Sequence, residues 1–434
     1  MNSVAIQPIS GHIDAVVSVP GSKSLTNRAL LLAALADGES HLSNALFSED
    51  SEIFSTCLGL LGIAIEANSA AATYRVSGRG GLVPATQATL DVGNAGTAAR
   101  FITAMLSLGE GTYQLDGVAA MRRRPMAELL RILCEQGSEV EFAGDPGCMP
   151  FTLKSRHLRG GRISMNSAET SQQLSALLMI APYAALDTTI EIEGTVVSQP
   201  YLDMTCRLMQ EFGVAVRRQG YHSFQVAAGE RYRASQYSIE PDASNASYFW
   251  AAAAVTGGRV RIDGLALNST QGDVRFVELL QAMGCQVNAT GSSIEVIGPD
   301  PRTGRGLKGI DADMNDISDT VPTLAAIAPF ADSPVTIRNV GHIRKKETDR
   351  ISAVTTELRR MGITVEEFAD GLTIHPGTPA PAQIHTYNDH RMAMSFSVTG
   401  LRAPGIVITD PGCTAKTFPD YFDRFSAMLA TAGR

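Results

Sequence analysis

The apolar positions of this chain change their period in the same way again and again. An amphipathic helical segment runs into a glycine, and an alternating, strand-like segment follows. Leu60-Leu61-Gly62-Ile63-Ala64-Ile65 is the first case, and Ile132-Leu133 through Gly137 to Val140 is the second. Met209 to Gly213-Val214-Ala215-Val216, Met283-Gly284-Cys285-Gln286-Val287 and Met361-Gly362-Ile363-Thr364-Val365 repeat it. A glycine at such a place reads as a helix C-cap, because it enters the left-handed region without a Cβ penalty; the period then switches from 3.6 to 2. The glycines at 62, 137, 213, 284 and 362 lie 71 to 78 residues apart. A sixth helix, Phe425 to Ala432, ends at Gly433, a further 71 residues on, with no strand after it.

That period is longer than an ordinary solenoid repeat, so each unit reads as a small α/β fold of several strands and two helices. Six units in 434 residues predict two domains of three, with a ligand cleft between them. The N-terminal residues are expected to complete the last unit, which lacks its strand. On that reading residues 21–240 form one domain, and 1–20 plus 241–434 form the other. The chain would cross between them near Pro20-Gly21 and near Glu240-Pro241.

Composition narrows the class without naming a chemistry. Hydrophobic residues make up 44%, enough for a soluble globular protein with large cores. The longest apolar stretch, near Leu174 to Leu186, is interrupted by Pro182 and is too short to span a bilayer. Met-Asn-Ser-Val-Ala-Ile-Gln-Pro has neither the basic region nor the apolar core of a signal peptide. The six cysteines have no paired spacing, so no zinc site, metal or redox pair is expected, and a cytoplasmic enzyme with reduced thiols fits. A net charge of −8 argues against nucleic acid as partner, and no membrane partner is expected.

Positive charge is concentrated in islands. Gly21-Ser22-Lys23-Ser24-Leu25-Thr26-Asn27-Arg28 follows the strand-like Ala15 to Val19 and opens a Leu/Ala-rich helix. A glycine turn at a helix start offers backbone N–H groups and the positive end of the helix dipole to an anion. A nucleotide P-loop is excluded, since it needs a glycine where Val16 stands. Met121-Arg122-Arg123-Arg124-Pro125 and Arg344-Lys345-Lys346-Glu347-Thr348-Asp349-Arg350 each precede or open a helix. Thr386-Tyr387-Asn388-Asp389-His390-Arg391-Met392 and Asp410 to Thr417 complete the set. Gly93-Asn94-Ala95-Gly96-Thr97 and Thr170-Ser171-Gln172-Gln173 are polar and uncharged, as binding loops often are. Singly these have plain readings: a solvated arginine face, helix pairing of Lys346 with Asp349 or Arg350, a packed His390, a small buried Cys413, an N-cap at Asp319.

Together the segments resemble the 3-phosphoshikimate 1-carboxyvinyltransferase family, also called 5-enolpyruvylshikimate-3-phosphate synthase, through nearly the whole chain. The resemblance implies an α/β (α+β) fold of two similar domains, each of three βαβαββ-type repeats, with the active site in the interdomain cleft. It implies transfer of the enolpyruvyl group of phosphoenolpyruvate to the 5-hydroxyl of shikimate 3-phosphate, without cofactor or metal, by a monomer. By position, Lys23, Ser24, Arg28, Thr170, Ser171, Gln172 and Ser198 would hold shikimate 3-phosphate, with Tyr201 flanking its ring. Asp319 would take the hydroxyl proton with Lys346 assisting, and Glu347 would protonate C3. Gly96, Arg124, Arg350, Arg391 and Lys416 would surround phosphoenolpyruvate, which Lys23 and Gln172 would also reach; Lys23 would serve in catalysis as well.

Four places depart from the family pattern. His342 stands where an asparagine often contacts shikimate 3-phosphate, and Thr170 replaces a frequent serine. Phe101 occupies a site often held by proline, and Ala119-Ala120 replaces Pro-Arg. A UDP-N-acetylglucosamine enolpyruvyl transferase would carry a reactive cysteine in the loop 117–125, which has none. A nucleotide-dependent phosphotransferase would need a magnesium carboxylate pair, and a non-catalytic anion-binding protein would not need Asp319 and Glu347 together.

Overall fold

In the computed structural model, which describes residues 3–166, 170–304 and 306–432, the chain divides into two compact units. Gly21–Ile239 forms one, and the segment up to Pro20 joins the chain from Glu240 onward to form the other. Among the described residues each unit holds three small sheets. The second sheet shows the repeat most simply. Strand Gln87–Asp91 leads through helix Gly96–Leu106 to the parallel strand Glu110–Asp116, with Leu90 beside Leu115. Helix Ala127–Glu135 then leads to the antiparallel pair Glu139–Phe142 and Phe151–Arg156. This is a βαβαββ unit, and the sheets containing Gly161–Asn166 and Asp311–Asp313 follow the same order.

The two helices of a repeat differ because their sequences differ. Ala127–Glu135 buries Leu129, Leu130, Ile132 and Leu133 on one stripe and leaves its charges outside. Gly96–Leu106 is buried all round, as are Ala243–Thr256, Val321–Ile327 and His390–Thr399; Lys23–Leu35 is buried from Leu25 on, and Ser171–Ile180 at all positions except Gln172. Alanine-rich runs such as Ala251 to Ala254 let neighbouring elements approach these helices closely. Trp250, with Phe249 and Tyr248, fills the centre of its core, and replacing it by alanine would cost about 3–5 kcal/mol. The repeat-ending glycines all have positive φ, from 79° at Gly362 to 114° at Gly137, as the capping argument requires. Gly433 lies outside the described residues.

Two strands lie in sheets away from the helices that follow them. Asp14–Val17 pairs in parallel with Arg259–Asp263, and Gln236–Ser238 with Asp37–Ser43. The N-terminal segment is therefore shared between two sheets. Ser3–Ala5 pairs antiparallel with Ile406–Thr409 in the sixth, three-stranded sheet, while Asp14–Val17 fills the parallel edge of the fourth. Among the described residues, no helix is long and apolar enough to cross a membrane.

What this architecture positions is a set of helix starts. Lys23, Gly96 and Ser171 begin buried helices of the first unit, while Val321, just after Asp319, and His390, just before Arg391, begin buried helices of the second. Burial of the helix shafts fixes these ends, and each end presents N–H groups and positive dipole.

Candidate functional site

In the Gly21–Ile239 unit the Gly-Ser-Lys-Ser turn is built as a helix cap. Ser22 is the N-cap residue, its side chain accepting from the Leu25 N–H. A Cβ at Gly21 would lie 1.9 Å from the Asn44 carbonyl oxygen, so only glycine fits. The Lys23 ammonium sits 3.5 Å from the carboxylate of Asp50, itself almost fully buried. Arg28 shares a helix face with Ser24 and points into the core. It donates to the Ser24 carbonyl (3.0 Å), Thr205 Oγ1 (2.7 Å), Ser175 Oγ (3.2 Å) and the Tyr201 carbonyl (3.3 Å). Its guanidinium lies 5.4 Å from the Phe101 ring centre and 5.9 Å from that of Tyr201. Burial lowers its pKa to about 10, with Tyr201 and Cys206 opposing. Phe101 thus serves as a wall for this arginine.

The three consecutive arginines are sorted by structure. Arg122 forms an exposed two-bond pair with Asp116 (2.8 and 2.6 Å), and Arg123 is exposed. Arg124 is buried against the Gly96 helix start, its NH1 3.4 Å from the Asn94 carbonyl. A Cβ at Gly96 would come within 2.4–2.5 Å of the Arg124 guanidinium, so the glycine makes room for that cation. Arg100 holds the arrangement together: it donates to the Gly96 carbonyl (3.1 Å) and the Pro125 carbonyl (2.7 Å), and Gln173 also donates to the latter (3.3 Å). Thr170 caps its helix by accepting from the Gln172 N–H, and the Gln172 amide reaches Thr97 Oγ1 at 3.3 Å. Ser171 is buried, and Ser198 is buried in left-handed geometry at φ 55°.

In the other unit a charge network centres on Arg350, the first residue of its helix and about 1% exposed. Its three nitrogens reach Asp389 (2.8 and 3.3 Å), Asp319 (2.9 Å) and Glu347 (2.9 Å). Burial works to lower its pKa, but the charges of Asp389, Glu347 and Asp319 outweigh it and the net shift is upward. Arg391 takes the second oxygen of Asp319 at 2.6 Å and donates to Tyr248 at 3.2 Å. Asp319 therefore bridges two arginines. It is not an N-cap, because Thr320 holds that place and Ile317 breaks helical geometry just before it (φ −126°, ψ 33°).

Around this network the remaining candidates take distinct places. His342 Nε2 lies 2.8 Å from Ser318 Oγ, and its pKa falls to about 4 through burial and the Lys346 charge. Lys346 is half-buried ahead of the Arg350 helix, where Asp349 is the cap. Lys416 is 4% exposed in a short turn, Pro411–Lys416. Cys413 beside it is buried, its thiol pushed up to about 12 by burial, which is inert rather than nucleophilic. His390 is 1% exposed and packed. Among the described residues, no group of three or more His, Cys, Asp or Glu is placed to hold a metal ion.

Sequence reasoning missed four charged residues. Asp50 lies in the acidic first turn of its helix, which carries no sign of a distant partner, yet it holds Lys23. Arg100 carried no signal beyond its nearness to Gly96. Asp389 lay in a quoted motif, but its pairing with Arg350 spans 39 residues. Asp273 is fully buried, accepts from the Ser244 hydroxyl, and has its carboxyl raised by burial and then by the Asp319 charge.

Comparison with known proteins agrees across the chain. The sequence model of the EPSP synthase (3-phosphoshikimate 1-carboxyvinyltransferase) family matches residues 7–425. A 3-phosphoshikimate 1-carboxyvinyltransferase of Trichormus variabilis is 60% identical over 429 residues, covering 99% of this chain and 100% of that one. One from Herminiimonas arsenicoxydans is 45% identical, covering 96% and 95%. The solved structure of an EPSP synthase from Acinetobacter baumannii superposes with TM-score 0.81 at 26% identity, covering 100% of this chain and 98% of that one.

Proposed function

The chain belongs to the EPSP synthase family and is an enolpyruvyl transferase of the shikimate pathway; from that premise we propose how its residues divide the work. The 5-hydroxyl oxygen of shikimate 3-phosphate bonds to C2 of phosphoenolpyruvate, its proton leaves, and C3 gains one. The tetrahedral adduct then loses a proton from C3 and expels phosphate. Asp319 accepts the hydroxyl proton, Lys346 steadies that oxygen, and Glu347 exchanges the proton at C3.

The carboxylate–arginine network supports an exchange of partners as the trigger. Asp319 and Glu347 occupy Arg350 and Arg391 in this structure. The phosphate and carboxylate of phosphoenolpyruvate compete for the same guanidiniums, where planar two-point binding is strong. Once the ligand has taken the arginines, Asp319 and Glu347 turn to the reacting atoms. Lys23, Gly96, Arg124, Gln172 and Lys416 complete the phosphoenolpyruvate set. Gly96 acts through the room it leaves for Arg124.

Shikimate 3-phosphate falls to Lys23, Ser24, Thr170, Ser171, Gln172 and Ser198, with Arg28 acting from below through the Ser24 carbonyl. His342 serves as a neutral hydrogen-bond partner, since its lowered pKa leaves it uncharged at neutral pH. The observation that carries the reading is Asp319 held between two buried arginines. Purified protein given both substrates should release inorganic phosphate without ATP or added metal. Folded protein that releases none would overturn it.

A further inference from the structure

The turn ahead of Arg391 is strained. The Asp389 N–H donates to the Thr386 carbonyl at 2.8 Å, closing a four-residue turn whose central residues, Tyr387 and Asn388, have φ 55° and 54°. Positive φ at both central positions is the type I′ pattern, which favours Asn-Gly. Asn388 suits it; a tyrosine at the first position does not. Strain of this kind persists only where the surroundings over-determine it.

The surroundings here are one buried carboxylate. Glu357, 0% exposed, accepts the Tyr387 hydroxyl at 2.6 Å on one oxygen and the His385 N–H at 3.1 Å on the other. Arg360 balances it at 2.9 Å. Glu357 stands seven residues, about two turns, after Arg350 on the same helix, so the two share a face. That helix grips the segment 385–391 twice: Glu357 holds the turn, and Arg350 holds Asp389, the cap of the Arg391 helix. We propose that Glu357 is a positioning residue that clamps the strained Tyr387–Asn388 turn through the tyrosine hydroxyl, and thereby sets Asp389 and Arg391 for phosphoenolpyruvate. The functional half rests on the reading of Arg391 given above; the clamp itself does not.

Emptying a buried carboxylate site risks unfolding, so the probe is Tyr387. Tyr387→Phe keeps the strain and loses the clamp; Tyr387→Gly loses both, since glycine accepts the left-handed region. Tyr387→Phe is expected to raise KM for phosphoenolpyruvate about tenfold, as loss of a hydrogen bond to a charged group implies, while KM for shikimate 3-phosphate holds. Tyr387→Gly should recover at least about threefold of that loss. Amide hydrogen exchange at Asp389 should quicken in Tyr387→Phe and slow again in Tyr387→Gly. An unchanged KM and exchange rate in Tyr387→Phe, a glycine variant worse than the phenylalanine one, or an equal rise in both KM values would overturn the proposal. Should the wild type show no turnover, the function reading fails, and the exchange comparison still decides the clamp.

Discussion

Replacing Gly96 by alanine separates what this residue does for stability from what it does for binding. The new Cβ would meet the Arg124 guanidinium at 2.4–2.5 Å, and a comfortable contact is about 3.5 Å, so the guanidinium must retreat by about 1 Å. The obstacle is the end of a flexible side chain, which can move. Gly96 starts its helix without a positive φ, so alanine there removes an entropic penalty of roughly 0.5–1 kcal/mol. The retreat loosens the 3.4 Å contact of Arg124 with the Asn94 carbonyl, worth about 1 kcal/mol. These terms nearly cancel, so Tm should stay within about 3 °C. Binding has no such compensation. A cation displaced by about 1 Å from its ligand can cost as much as 100-fold, so KM for phosphoenolpyruvate should rise at least about tenfold with KM for shikimate 3-phosphate little changed. Thermal denaturation and steady-state kinetics with each substrate varied would test both halves. A variant that melts much earlier, or one with unaltered phosphoenolpyruvate kinetics, would refute the reasoning.

Other perturbations reach the network directly. Arg350→Met leaves Asp319, Glu347 and Asp389 facing one another, and urea unfolding should show a loss of about 3–5 kcal/mol. Asp319→Asn should lower kcat by about 10²–10⁴ while KM for phosphoenolpyruvate stays equal or falls, because a competitor for the arginines is gone; turnover within tenfold of wild type would exclude Asp319 as the base. His342 has a folded pKa of about 4 against 6.5 unfolded, so the unfolded chain binds the extra proton and stability falls as pH drops through that window, by about 3 kcal/mol at most; His342→Asn should flatten that part of the curve. Asp273 is shifted the other way: its raised folded pKa means stability is lost as pH rises above the usual carboxylate range. Asp273→Asn should therefore stabilise the protein at pH 8 relative to pH 5, by an amount on the order of 1–3 kcal/mol.

What the sequence made legible was local. A glycine after a helix announces itself, because the left-handed C-cap needs no distant partner, and the spacing of those caps exposed the six repeats. Ser22 was readable as the polar start of an apolar run, whereas 170–173 read as a polar loop and in fact opens a buried helix at Ser171, with Thr170 as its cap. The charge pairing was not readable. Arg122 and Arg124 are chemically the same in the sequence; a short turn, Ala119–Arg122, sends one to Asp116 and the other beneath Gly96. Arg28 read as one cation of the opening island, expected to hold shikimate 3-phosphate. It is a core residue because Ser175, Thr205 and Tyr201, all distant in sequence, offer it neutral acceptors. The Asp319–Arg350 and Asp389–Arg350 pairs span 31 and 39 residues, beyond any periodic signal.

The pairing of the first strands sets an order on the birth of the molecule. Ser3–Ala5 finds its partner at Ile406–Thr409, and Asp14–Val17 waits for Arg259–Asp263. The first of these partners is made about four hundred residues later, roughly 20–80 s at a synthesis rate of about 5–20 residues per second. Gly21–Ile239, whose sheets among the described residues draw only on strands within that span, can close long before. The inserted half is thus the natural first-born; Asp14–Val17 stays an unpaired edge until Arg259–Asp263 is made just beyond it, with Ala15 and Val17 as the side chains a chaperone would shield, and Ser3–Ala5 waits longer still.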